Sequence, residues 1–274
     1  KGSINYRWTR SDQNWDNFRP SLNKLKTLSQ LEINTLSPAE KFDISQDRYD
    51  YPVSKLASKL SNSRASDWNG ICHGLAAASL NHSEPLGKTI KNKNGVEVSF
   101  FSSDIKAILS FQYAKNQSVN VRQIGKRCFF KKGTPLVWRH NSCTDTNPGS
   151  FHLILGNLIG HGSRGFLADL DRYKEVWNYG INGYKSTITK QSKNTIYLRT
   201  TIYYSKIIEP QYGNLLGTSF DFQGSRTFSY KLYLNEKNEI KGGSWLNGER
   251  PDFIWIQEKL SYSGLFSGLK LLTL

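Results

Sequence analysis

Trp68-Asn69-Gly70-Ile71-Cys72-His73-Gly74-Leu75-Ala76-Ala77-Ala78-Ser79-Leu80 is the stretch from which the rest of the chain is read. A glycine-bearing turn runs into small alanines, the composition of a helix that packs closely against its neighbours. Cys72 falls at the start of that helix. The unpaired backbone N–H groups and the dipole of a helix N-terminus favour a thiolate, the form a nucleophile needs. Upstream, Ser37-Pro38-Ala39-Glu40-Lys41 carries a complete helix-start signal, with Ser37 as cap, Pro38 in the first helical position and Glu40 three residues after the cap. Between these and the later strands, Ile105, Ile108, Leu109 and Tyr113 recur at helical spacing and predict a helix over 103–113. Residues 1–36, polar and with isolated Trp8 and Trp15, read as an N-terminal arm, and residues 37–274 as one body.

The texture changes after residue 125. Residues 137–140, 151–158, 165–171, 195–204, 227–234 and 253–257 are rich in β-branched and aromatic side chains and read as strands, with a hairpin turn at Asn235-Glu236-Lys237-Asn238. Helices first and antiparallel strands second is the α+β pattern, with N-terminal helices packed on an antiparallel sheet. His152 opens the strand 151–158, and the strand 165–171 returns through Gly160-His161-Gly162-Ser163. Asp169 and Asp171 are two apart and share a face, so the hairpin register decides which of them meets His152. Cys, His and Asp in that chain order form the papain-like arrangement, a thiol with a base and a group to orient the base. His73 projects about 100° away from Cys72 around the helix and reads as structural or as a wall residue. His82 and His161 read as surface-loop residues and His140 as a strand or edge residue.

The chain has 274 residues, of which 37% are hydrophobic and 13% aromatic, enough for a core and too much for intrinsic disorder. No apolar run approaches the roughly 18 residues of a transmembrane helix. Lys and Arg outnumber Asp and Glu by 37 to 22, which favours acidic partners such as surface polymers. The basic residues are scattered and no recognition module accompanies them, so nucleic acid is not expected. Cysteine and histidine show no zinc spacing and there is no glycine-rich phosphate loop, so neither metal nor cofactor is expected. Methionine is absent even at position 1, which suggests a processed, exported chain, secreted or periplasmic. Three cysteines, Cys72, Cys128 and Cys143, then suggest one bridge and one thiol left over. On the residues alone, a cysteine hydrolase or acyltransferase stands against a non-enzymatic binding module.

Five blocks in order bring a resemblance. Ser37-Pro38-Ala39-Glu40-Lys41-Phe42-Asp43, Trp68-Asn69-Gly70-Ile71-Cys72-His73-Gly74, and Arg127-Cys128 with Cys143 followed by Asn147-Pro148-Gly149-Ser150-Phe151-His152-Leu153 are the first three. Glu175-Val176-Trp177-Asn178 through Gly183-Tyr184 is the fourth, and Gly242-Gly243-Ser244-Trp245 with Arg250-Pro251-Asp252-Phe253-Ile254-Trp255 the fifth. Together they resemble the transglutaminase elicitor family, secreted transglutaminases of plant-pathogenic oomycetes with relatives in marine bacteria. The fourth block resembles the segment that plants detect as an elicitor. The chain departs from the family pattern at Leu75 and Ala77 (Trp and Pro in the family), at Tyr179 and Gly180 (Gln-Pro) and at Ser244 (Glu).

The resemblance implies a papain-like cysteine protease or transglutaminase fold, with Cys72 as nucleophile, His152 as base and Asp169 as acid, Asp171 being the alternative. It also implies a disulfide between Cys128 and Cys143. The 16-residue loop this closes would contribute about 3 kcal/mol on the chain-entropy account. The implied reaction is a Cys72 thioester with a glutamine side chain, passed to a lysine or other amine of protein substrates at a cell wall or surface. The Cys72 amide with Asn69 or Trp68 is expected to hold the oxyanion, and Trp68, Trp177, Trp245 and Trp255 are available for substrate walls. A thiol peptidase or amidase, including one acting on peptidoglycan peptides, and an inactive surface-binding relative are the alternatives. The apolar Leu265–Leu274 segment reads either as a last core element or as a docking tail.

Overall fold

Ser37 and Glu40 cap each other's backbone: the Glu40 amide donates to Ser37 Oγ (3.3 Å) and the Ser37 amide to the Glu40 carboxylate (2.9 Å). With Pro38 in the first turn this starts helix α3 (Pro38–Ser45), every residue of which is buried. The computed structural model describes residues 19–59, 69–116, 122–127, 144–170, 175–206, 213 and 223–273. Trp8, Trp15, Trp68, Cys128, Cys143, Asp171 and the expected strand 137–140 with His140 lie outside them. The chain divides into two compact units, one of Lys1–Asn116, Ile208–Asp221 and Lys259–Leu274, the other of Gln117–Ile207 and Phe222–Glu258.

In the first unit α3 is preceded by two short helices, α1 (Leu22–Leu25) and α2 (Gln30–Asn34), and Leu25, Ile33 and Leu36 are buried. α4 (Pro52–Ser58), α5 (Cys72–Asn81) and α6 (Ser102–Lys115) follow, with an antiparallel hairpin of β1 (Lys88–Lys91) and β2 (Glu97–Phe100) before α6. Polar groups lock these helices together. The Asp43 carboxylate accepts from the Val53 and Ser54 amides at the start of α4 (3.1 and 2.8 Å), and burial raises its pKa to about 7. Lys41 on α3 reaches Asp104 on α6 at 2.8 Å, with both side chains buried. Asp104 also accepts the Phe101 amide (2.8 Å) and so starts α6. The C-terminal segment, with α8 (Leu269–Thr273), is a core element: Phe266, Leu269 and Leu272 are buried, and the Phe266 ring sits 6.5 Å from that of Phe42 and 6.0 Å from that of Phe111.

The second unit is built on a seven-stranded antiparallel sheet in the order β3-β9-β4-β5-β6-β7-β8. Its strands are β3 (Arg122–Gly125), β4 (Phe166–Asp169), β5 (Asn178–Ser192), β6 (Thr195–Ser205), β7 (Gln223–Leu234), β8 (Ile240–Trp245) and β9 (Phe253–Ile256). β7 alternates strictly at its end, with Phe228, Tyr230, Leu232 and Leu234 buried and the residues between them half-exposed. The turn at Asn235–Asn238 forms as expected: Asn235 Oδ1 accepts from the Lys237 and Glu239 amides (3.0 and 2.8 Å).

The expected strand at 151–158 is overturned. Residues 151–158 are not a strand: helix α7 (Pro148–Ile154) continues into a wider π-helical turn, Leu155–His161. Asn147 Oδ1 caps the Gly149 amide (2.8 Å) and Pro148 occupies the first turn, the same device that starts α3. Phe151 and Leu155, four apart, are fully buried in the sheet's core cluster, with Ile154 and Leu158 packed beside them. β4 pairs with β5 and β9 instead, so no hairpin register relates His152 to Asp169. The helix that packs on the sheet within this unit is therefore α7. Strands β1, β2, β3, β5 and β8 are additions to the sequence reading.

Candidate active site

Cys72 is the first residue of α5, and its cap residue Ile71 places no side chain on the first-turn amides. The two residues after it are anchors. His73 is hydrogen-bonded to the Ala114 carbonyl on α6, and burial holds its pKa below the ordinary histidine value against the pull of that bond. Gly74 lets the two helices touch: a Cβ there would lie 2.1 Å from the Ser110 carbonyl oxygen and 2.9 Å from Ala114 Cβ. Cys72 is thereby held half-buried at the head of a helix that cannot slide, with Asn69 exposed in the turn before it. At the other end of α5, His82 is not a surface residue. Its ring bonds the Tyr113 hydroxyl (3.1 Å) and the Tyr262 hydroxyl (3.3 Å), stacked on Tyr262. Burial, helped by Lys259, pushes its pKa down to about 4.

In the second unit His152 sits on α7 with Nδ1 2.8 Å from the Tyr230 hydroxyl. That hydroxyl is 2.8 Å from Thr200 Oγ1, which is 2.7 Å from Ser186 Oγ, so a line of hydroxyls crosses β7, β6 and β5. Tyr230 is fully buried, its ring packed edge-on against Phe151 and Trp245 (centroids 5.9 and 5.4 Å). Burial raises its pKa to about 12, so it stays a neutral phenol. Burial also lowers the pKa of His152 below the ordinary value, which favours the neutral ring. The seat of α7 is made by glycines. A Cβ on Gly149 would lie 2.9 Å from Gly242 Cα, and one on Gly243 would lie 2.5 Å from the Lys231 carbonyl oxygen and 3.0 Å from Pro148 Cβ.

Asp169, the last residue of β4, is fully buried, and its Oδ1 accepts the Trp177 amide (3.0 Å). The Trp177 indole N–H donates to Glu175 (3.0 Å), so the carboxylate fixes the turn that carries this half-buried tryptophan. The Trp255 indole is buried and donates to Asn178 Oδ1 (2.7 Å), while Trp245 donates to the Thr146 carbonyl (2.9 Å). Tyr230 was missed by the reading of the sequence. Its signal was present: it is the one polar-tipped side chain among the inward positions 228, 230, 232 and 234, and a buried tyrosine hydroxyl finds a partner.

Among the described residues no group of three or more His, Cys, Asp and Glu is gathered to hold a metal ion. No described helix is long and apolar enough to cross a membrane. Compared with known proteins, the sequence pattern of the family described as "Transglutaminase elicitor" matches residues 33–214. The crystal structure of the GP42 transglutaminase from Phytophthora sojae is similar in fold, with a TM-score of 0.62 and 20% sequence identity over 87% of this chain and 81% of that chain. No curated protein matches.

Proposed function

The chain belongs to the transglutaminase elicitor family, and on that premise we propose that it is an exported acyltransferase of papain-like type, with Cys72 as nucleophile and His152 as general base. The observation that carries this reading is the place of Cys72. It is the first residue of α5, and the next two residues, His73 and Gly74, are both committed to holding that helix against α6. A thiol at a fixed helix start, beside amides that the cap residue Ile71 does not cover, is suited to attack a carbonyl and to hold the oxyanion that results.

The reaction runs in two halves. His152 takes the proton of the Cys72 thiol, and the thiolate sulfur attacks the carboxamide carbon of a glutamine side chain. The tetrahedral oxyanion is held by the Cys72 amide, with Asn69 or Trp68 as second donor. Its collapse breaks the C–N bond, the imidazolium returns its proton to the departing nitrogen, and ammonia leaves a thioester. In the second half a lysine amine attacks the thioester carbon, gives its proton to His152 and forms an isopeptide bond. The thiolate that leaves is reprotonated. Asp169 serves this machinery through Trp177, whose backbone it holds as a wall of the substrate path. The Cys128–Cys143 disulfide and a substrate at a cell wall or surface belong to the same proposal.

The test offers the purified protein a glutamine peptide and a labelled primary amine, beside Cys72→Ala and His152→Gln, with products read by mass. Amine incorporation lost in both variants is the expected result. A one-dalton gain without amine assigns an amidase, and a cut backbone assigns a peptidase; either would displace the transferase reading.

A further inference from the structure

We propose that Tyr230 is the positioning residue of His152, its hydroxyl holding the imidazole in the tautomer with the proton on Nδ1 and the lone pair on Nε2. The choice of tautomer and its catalytic consequence rest on the role given to His152 above; the contacts of Nδ1, Tyr230, Thr200 and Ser186 do not. A neutral imidazole in water favours the proton on Nε2, so a site that needs a base at Nε2 must supply an acceptor at Nδ1. Here the group at Nδ1 is a phenol, 2.8 Å away. A hydroxyl accepts one hydrogen and donates its own. With Tyr230 accepting from Nδ1–H and donating to Thr200 (2.8 Å), and Thr200 donating to Ser186 (2.7 Å), one direction of polarisation runs through all four groups. The opposite direction would place the lone pair on Nδ1 and leave no base at Nε2.

The geometry is rigid at each step. Tyr230 is fully buried, and its ring is clamped by Trp245 and by Phe151, the residue next to His152 on α7. Thr200 is fully buried as well, and the line ends at half-exposed Ser186. The base is thus oriented by a neutral group: the imidazolium formed in turnover meets a phenol at Nδ1. The more usual orienter is a carboxylate.

The experiment uses the full chain with Tyr230→Phe, which keeps the ring and removes only the hydroxyl. Thr200→Val breaks the line one step further on and leaves the Tyr230 ring in place if the first variant fails to fold. Long-range nitrogen–hydrogen NMR of the five histidines reads the tautomer, with His152→Gln assigning the signal. The native protein is expected to show the His152 proton on Nδ1, and Tyr230→Phe to move it to Nε2. kcat for amine transfer should fall about tenfold with KM unchanged, and Thr200→Val should do the same to a smaller extent. Retention of the Nδ1–H pattern in Tyr230→Phe, or unchanged kcat, overturns the proposal. If the native protein transfers no amine, the NMR pattern still decides the tautomer, and only the reading of the reaction fails.

Discussion

His152 Nδ1 and the Tyr230 hydroxyl are 2.8 Å apart, yet the two residues belong to different layers, one to α7 and the other to β7. Their alignment therefore depends on how closely the helix sits on the sheet, and two glycines, Gly149 of α7 and Gly243 of β8, set that distance.

Gly243→Ala puts a Cβ 2.5 Å from the Lys231 carbonyl oxygen, so the pairing of β7 with β8 must shift, and 3.0 Å from Pro148 Cβ, so α7 is pressed outward as well. A displacement of about 1 Å costs about a hundredfold in rate when it reaches a catalytic group. A smaller shift of α7 is expected here, so kcat for amine transfer should fall by less than that factor while far-UV circular dichroism is unchanged. Full activity in this variant would mean that the seat of α7 is not critical.

Asp169→Asn keeps an oxygen for the Trp177 amide and removes the charge. In this account it lowers kcat less than about tenfold. Asp169→Ala leaves the Trp177 amide without that acceptor and is expected to cost about 1–3 kcal/mol of stability, read by denaturant unfolding. A loss of about 10⁴-fold in kcat for Asp169→Asn, the scale seen when a base loses its orienting carboxylate, would reassign Asp169 to the imidazole.

Lys41 and Asp104 are buried and paired at 2.8 Å. Lys41→Met leaves a buried carboxylate without its counter-ion and is expected to destabilise the fold by about 3–5 kcal/mol. Adding Asp104→Asn removes the stranded charge and keeps an acceptor for the Phe101 amide. The double variant should then be more stable than Lys41→Met alone in urea titration. A double variant no better than the single one would contradict the pairing.

His82 supplies a pH dependence of stability. In the folded chain it takes up a proton only near pH 4, whereas in the unfolded chain it does so near the ordinary 6.5. Between these values the unfolded chain binds more protons, so stability falls as pH drops from about 6.5 towards 4 and levels off below that. Calorimetric Tm should show this slope in the native protein and a shallower one in His82→Gln. Parallel slopes would rule His82 out as a source.

Much of the first unit was legible because its signals are local. The Ser37–Glu40 capping box, the alanine helix after Gly74 and the helical spacing of Ile105 to Tyr113 each declare themselves within a few residues. The second unit was legible where alternation is clean, as in β6 and β7. It was misread at 151–158, where the apolar content was read as a strand although Phe151, Ile154, Leu155 and Leu158 recur at the helical spacing i, i+3, i+4 and i+7. Asn147-Pro148 carried the same start signal as Ser37-Pro38 and settles the matter once it is weighed. β5 and β8 escaped because Gly180, Gly183, Gly242 and Gly243 dilute strand propensity. In β8 Gly243 serves a close approach that only the packed sheet makes visible. Tyr230 belongs to the same class: its partner comes from an element 78 residues away, and no local pattern encodes that meeting.

The most direct test of the account is capture of the acyl-enzyme. The protein would be mixed with a glutamine peptide in the absence of amine, quenched in acid and digested, and the adduct located by mass. The account predicts a peptide-minus-ammonia adduct on the fragment that contains Cys72, discharged by added amine and absent in Cys72→Ala. Amine incorporation that persists in Cys72→Ala, or an adduct on any other residue, would contradict it.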